Sequence, residues 1–157
     1  MEPIITTIQP KILIGKKCRM SMANQQTQKL WKEFGSERKD IRRVVGTDLY
    51  SVEVYPEGYF RKFDPTKPFE KWAAVEVSEV KLVPEGMSQL ILPEGLYAMF
   101  YFQGAAEGAS KFYQYIYSEW LPGSAFSLDV RPHFAVMEEQ YDPMDHDSEE
   151  TIWIPVK

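Results

Sequence analysis

Two glutamates, Glu53 and Glu76, stand inside runs of sequence that are otherwise apolar, and the strand-like segments around them carry tryptophan, tyrosine and methionine at alternate positions. A carboxylate buried without a counter-charge is costly, so acids placed in this way are either paired with a base or available to a cation. Lys71, Lys81 and Arg61 are the candidate bases, and exposure at a sheet edge is the other plain reading. Aromatic faces beside a carboxylate suit a flat, apolar, positively charged molecule, held by dispersion, by the negative face of each ring and by the acid.

Side chains on a strand alternate with period two. In Leu49 to Tyr55 this sets Tyr50, Val52 and Val54 against Ser51, Glu53 and Tyr55. In Trp72 to Ser78 it sets Ala73, Val75 and Val77 against Trp72, Ala74 and Glu76. Tyr97, Met99 and Tyr101 alternate with Ala98, Phe100 and Phe102. Met137, Glu139 and Tyr141 alternate with Phe134, Val136 and Glu138, and Trp153 lies in a last strand, Thr151 to Val156. If these strands join one sheet, Glu53, Tyr55, Trp72, Glu76, Tyr97, Met99, Tyr101, Met137, Glu139, Tyr141 and Trp153 converge on one ligand-binding face. The same spacing also fits rings that fill volume beneath helices.

Other chemistries find little support. Cys18 is the single cysteine, read as a structural thiol in a reducing compartment. His146 has no second histidine at metal-ligand spacing, so its acidic run, Asp142 to Glu150, reads as a solvated loop, and no metal or cofactor is expected. His133, beside Pro132, reads as structural. Gly104 to Gly108 is too short for a phosphate loop and lacks the flanking lysine, and no paired CxxC or Ser, His, Asp order is present. A net charge of −5 argues against nucleic acid, which demands a concentrated positive patch; Lys39, Arg42 and Arg43 form only a small cluster. With no signal-like N-terminus and no long apolar run, the expectation is a soluble cytoplasmic protein without a membrane partner.

The 157 residues fit one domain, 1–157, in two halves of about 1–82 and 87–157 with a seam at Leu82 to Gly86. Extended chain at Ile4 to Ile8 and a strand at Lys11 to Met20, broken by Gly15, precede a helix capped by Asn24 and carrying Thr27, Leu30, Trp31 and Phe34 until Gly35 interrupts it. A second helical segment is predicted from Ser36, with Ile41, Val44 and Val45 as its buried stripe. Strands at 49–55 and 72–78 follow, separated by a proline, glycine and aromatic loop, Pro56 to Pro68. The second half offers strands at 87–92 and 96–103, then a helix with Tyr113, Ile116, Tyr117 and Trp120 at i, i+3, i+4 and i+7, stopped by Leu121-Pro122-Gly123. Strands at 133–141 and 150–156 complete it. Two strand, helix, strand, strand (βαββ) units of this kind predict an α+β fold with a largely antiparallel sheet and helices on one face.

The second half also carries a recognisable pattern: Leu92-Pro93-Glu94-Gly95-Leu96-Tyr97-Ala98-Met99-Phe100, then Gly104, Glu119-Trp120-Leu121-Pro122, Arg131-Pro132-His133-Phe134 and Ile152-Trp153-Ile154-Pro155-Val156. With Trp72-Ala73-Ala74-Val75-Glu76-Val77 in the first half, it resembles the GyrI-like family over essentially the whole chain. That family is related to the effector-binding domains of multidrug-responsive regulators such as BmrR and Rob. The resemblance implies two pseudo-symmetric βαββ modules with a hydrophobic cleft between them for lipophilic, often cationic, small molecules. A stand-alone binding protein acting in sequestration or effector sensing is thus the leading expectation, with Trp120 reaching the cleft from its helix. Some members hydrolyse strained cyclopropane-containing genotoxins and others are proposed to protect DNA gyrase, so a hydrolase and a protein-interaction inhibitor are the alternatives. Members commonly place a pocket glutamate directly after the Pro-x-Phe of the sixth strand. Here that position is Ala135, which removes the usual catalytic or counter-ion acid, and Glu139, Glu76 or Glu53 would have to supply the charge instead.

Overall fold

The structure, a computed structural model, describes residues 2–142 and 144–157. Eight strands form one sheet: β1 Ile4–Ile8, β2 Lys11–Met20, β3 Leu49–Val54, β4 Phe69–Val77, β5 Ser88–Leu92, β6 Gly95–Gln103, β7 His133–Met137 and β8 Glu149–Pro155. Their order is β1-β6-β8-β7-β3-β4-β2-β5, and every neighbouring pair is antiparallel. Helix α1, Thr27–Glu37, follows β2, and helix α2, Ala106–Tyr115, follows β6. The two runs β2-α1-β3-β4 and β6-α2-β7-β8 therefore share one element order and meet at β3 and β7, where Ser51 faces Ala135.

Edge strands cross between the runs: β1 pairs with β6 and β5 pairs with β2. The sheet curls so far that Ile8 from one edge and Leu92 from the other share a buried cluster with Leu13, Trp72, Tyr97 and Phe134. This cluster fills the helix-free face. On the opposite face α1 packs Leu30 and Phe34 onto Ile14, Ala73 and Val75, while the α2 run packs Ile116 onto Ala98, Phe100 and Ile152. Apolar burial supplies most of the stability of such an arrangement, at about 25 cal/mol per Å².

Several local expectations are corrected. Helix α1 runs through Gly35, whose missing side chain would meet only open space; the cost of a mid-helix glycine, about 1 kcal/mol, is offset by burial of Leu30 and Phe34. The helix then tightens into a 3₁₀ turn, Arg38–Asp40, and the expected second helix does not form. Arg43 adopts φ 65°, and the chain lies along the end of β4 instead: Ser78 N donates to Arg43 O at 2.9 Å and Val45 N to Glu76 O at 2.8 Å. Ile41 stays buried, but Val44 and Val45 point outward. Strand β2 is continuous through Gly15, where any Cβ would meet Ala73 O at 2.2 Å, so the glycine permits a close approach of β4. The helical run that begins with α2 ends at Leu121-Pro122-Gly123, as expected, but passes through a π-helical turn at Ile116–Trp120 first. Strand β7 ends at Met137, four residues earlier than predicted. Among the described residues no helix is long and apolar enough to cross a membrane.

Candidate functional site

Strand register lays the helix-side residues out in three rows. The middle row reads Lys16, Ala73, Ser51, Ala135, Ile152 across β2, β4, β3, β7 and β8. Its small central side chains give the space between α1 and α2 a shallow floor. One flanking row reads Cys18, Lys71, Glu53, His133; the other reads Leu49, Met137, Glu150. Charged and titratable groups thus stand at both ends of an apolar floor at the junction of the two βαββ runs.

At the first end Lys71 Nζ donates to Glu53 Oε2, and both residues are buried. Beside them His133 is 3 % exposed, and burial, with the positive charge of Arg131 adding to it, lowers its pKa to about 3. The ring is therefore neutral at physiological pH, and its Nδ1 lies 2.8 Å from the Tyr117 hydroxyl. Burial pushes the phenols of Tyr55, Tyr113 and Tyr117 well above the usual range, with the charge of Glu53 adding to the effect in each case. These hydroxyls stay protonated. At the second end Glu150 is 7 % exposed; burial raises its carboxyl pKa, the Tyr141 hydroxyl opposes that by hydrogen bonding, and Glu53 adds to it. Burial likewise raises the Cys18 thiol, which fits an inert side chain.

Rings fill the space over the first end. Tyr55 packs against Tyr59, Phe60, Phe69 and His133 with centroids 4.6 to 4.9 Å apart. Phe60 comes from the loop between β3 and β4 and lies nearly parallel to two other rings: Tyr117 at 4.9 Å and 26°, and His133 at 5.6 Å and 22°. It is nevertheless 38 % exposed. The neighbouring Tyr59 hydroxyl is buried with no hydrogen-bond partner among the described residues. Two surface clefts lie elsewhere, one of about 420 Å³ beside Ile5, Trp120 and Phe126, the other of about 440 Å³ beside Lys39, Arg42 and Leu82. Tyr55, Tyr59 and Phe60 thus cover the end of the floor at which Glu53 and His133 stand.

The residues expected to share one face are divided between two. Glu53, Tyr55, Ala135 and Met137 lie on the helix side, with Tyr141 reaching Glu150 from the loop after β7. Trp72, Glu76, Tyr97, Met99, Tyr101 and Trp153 lie on the helix-free side, where Trp72, Val52, Phe134, Trp153 and Met99 form one transverse row. Tyr50, Val52, Val54, Phe134 and Val136 were thus expected on the wrong side relative to Trp72 and Trp153. Glu76 there accepts from Tyr50 at 3.3 Å and pairs with Lys11 at 3.5 Å. Glu139 lies beyond the end of β7 and pairs with Arg38 at the surface, 3.1 Å apart. Trp120 packs edge-on against Phe100, 5.1 Å away in the α2 core. The sequence did not single out Phe60; Tyr113 and Tyr117 lie on the helical stripe and pack against the α2 core, and Glu150, placed in a solvated acidic run whose Pro143 lies outside the described residues, is instead buried. The signal for Glu150 was its position at the head of the alternating strand Glu150, Ile152, Ile154.

The sequence model of the GyrI-like small molecule binding domain matches residues 1–157. No curated protein matches the chain. Among solved structures, SAV2435 bound to tetraphenylphosphonium is similar with a TM-score of 0.72 at 17% identity, covering 100% of this chain and 94% of that one. The EcmrR C-terminal domain gives 0.73 at 12% identity, with 99% and 97% covered. A hydrolase encoded by lin2189 from Listeria innocua gives 0.62 at 11% identity, with 99% and 92% covered. At these identities the likeness to the three structures is one of fold.

Proposed function

The chain belongs to the GyrI-like small molecule binding domain family, and from that membership we propose that it binds lipophilic cations in the groove between α1 and α2, acting in sequestration or effector sensing. The observation that carries this reading is the ring of Phe60 held nearly parallel to both Tyr117 and His133, at the end of the floor where Glu53 stands opposite His133. A flat ring of an apolar ligand that displaced Phe60 would inherit those contacts, each aromatic pair contributing about 0.5 to 1.5 kcal/mol beyond area burial. Neutral phenols and a neutral imidazole add no positive charge, whereas Glu53 and Glu150 outnumber Lys71, so the groove favours a cation. That a protein of the same fold has been seen with tetraphenylphosphonium supports the same ligand class.

Thermal melting with tetraphenylphosphonium, neutral triphenylphosphine oxide and anionic tetraphenylborate tests this, because a ligand that binds only the folded state raises its stability by about 2.7 kcal/mol at a hundred times Kd. The cation is expected to raise Tm most and the anion not at all. Stabilisation by tetraphenylborate alone, or by none of the three, would overturn the reading.

A further inference from the structure

We infer that Glu150 is the carboxylate that receives the cation in this protein, in place of the acid that position 135 lacks, and that the cation enters the groove in exchange for a proton. This rests on the binding function proposed above and names the residue and the linkage that the groove would use.

The acids expected to substitute for position 135 are engaged elsewhere: Glu53 is held by Lys71, Glu76 by Lys11 on the other face of the sheet, and Glu139 by Arg38 at the surface. Glu150 is different. It lies opposite Met137, one row from the Ala135 and Ile152 pair on the same side of the sheet, and it is buried. Among the described residues no base lies within 4 Å of its carboxylate. The groups that face it are Glu53 from β3, Lys71 from β4, Tyr113 from α2 and Tyr141 from the loop before β8. Lys71 is paired with Glu53, and its charge reaches Glu150 only through space. With Glu150 protonated the groove is neutral, and with Glu150 ionised it carries one negative charge that burial disfavours. Burial, with Glu53 adding to it, accordingly holds the free carboxyl above its ordinary pKa.

A monocation resolves this. As it enters, the O–H bond of the Glu150 carboxyl breaks, the electron pair stays on the carboxylate, and the proton leaves to solvent, so net charge is conserved. Below the pKa of the free carboxyl, cation affinity rises about tenfold per pH unit, and above it the affinity levels off. A neutral ligand of the same shape gains nothing from the exchange.

The experiment is calorimetric titration of the full chain with tetraphenylphosphonium and with triphenylphosphine oxide, between pH 4.5 and 8.5, in buffers of different ionisation heat. Wild type is expected to release protons on binding the cation at the acid end, with the release falling to none at the alkaline end, while the neutral ligand releases none at either. Glu150→Gln keeps an oxygen that can accept from Tyr141. It is expected to lose roughly ten- to a hundredfold in cation affinity, to abolish proton release and to leave the neutral ligand unchanged. Cation binding without proton release, or of equal strength in wild type and E150Q, overturns the inference while leaving the groove as a binding site. If neither ligand binds wild type, the function proposed above fails and this inference with it. The wild-type proton count needs no variant, so the test stands even if E150Q folds poorly.

Discussion

His133 shows how one buried side chain ties this fold to pH. Its imidazole stays neutral because burial, and after it the charge of Arg131, lowers the pKa to about 3, while in the unfolded chain it titrates near 6.5. A base with a depressed folded pKa contributes stability above the unfolded value, and that contribution is lost as pH falls from about 6.5 towards 3. By pH 4.5 the loss is on the order of 2 to 3 kcal/mol. Glu150 works in the opposite sense: its raised carboxyl pKa means that the fold binds that proton more tightly than the unfolded chain does, so its ionisation costs stability as pH rises above the ordinary carboxylate range. Urea unfolding at pH 7 and 4.5 separates the two. His133→Asn, which keeps a polar atom near Nδ1 for the Tyr117 hydroxyl, is expected to lose markedly less stability than wild type between these pH values. Equal losses in the two proteins would show that His133 does not govern acid lability.

In the binding mode proposed above, access depends on the loop between β3 and β4. It is held by short-range turns at Tyr59, Arg61 and Lys67, by one backbone bond from Ala23 N to Pro65 O at 2.9 Å, and by Lys67 Nζ donating to Tyr59 O at 2.6 Å. Its main investment in the groove is thus aromatic, through Tyr59 and Phe60, and the unpartnered Tyr59 hydroxyl makes the packed position less favourable than its ring contacts alone suggest. Phe60→Ala removes the ring that the proposed ligand would displace. It is expected to lower stability by about 1 to 2 kcal/mol and to tighten tetraphenylphosphonium binding about tenfold, read by melting and by tryptophan fluorescence titration. Weaker binding would mean that Phe60 is a wall of the site and not its occupant. Elements of this kind were also where the sequence was hardest to read. Most strands and the helices α1 and α2 are visible as periodic patterns, because alternation and the 3.6-residue stripe are local properties, while Ile4–Ile8 and Lys11–Met20 are legible from their β-branched and aliphatic residues. Which alternate set of one strand joins which set of the next is decided by register, so Val52 opposite Trp72 and Phe134 opposite Trp153 could not be deduced strand by strand. The acids and rings of the proposed site come from β3, β7, β8, two loops and the α2 run with its π-helical turn, and no single window of sequence holds enough of them to reveal it.

At the scale of the whole molecule, the exchange of edge strands makes the two βαββ runs depend on each other. Strand β1 precedes the first run yet pairs with β6 of the second, and β5 returns to pair with β2 of the first. Ile8, Leu13, Leu92 and Tyr97 then close one core on the helix-free face, while on the helix face the central pairing of β3 with β7 supplies the floor between the two helices. Neither run can bury its share of these surfaces alone, so a ligand bound as proposed at the β3 and β7 junction would engage both. Unfolding is therefore expected to be a single cooperative step, with calorimetric and van't Hoff enthalpies in agreement at roughly 110 kcal/mol near 60 °C, from about 0.7 kcal/mol for each of the 157 residues. Saturating tetraphenylphosphonium should move that one transition upward without splitting it. Two resolved transitions, with only one of them shifted by the cation, would show that one run folds independently and holds the ligand alone.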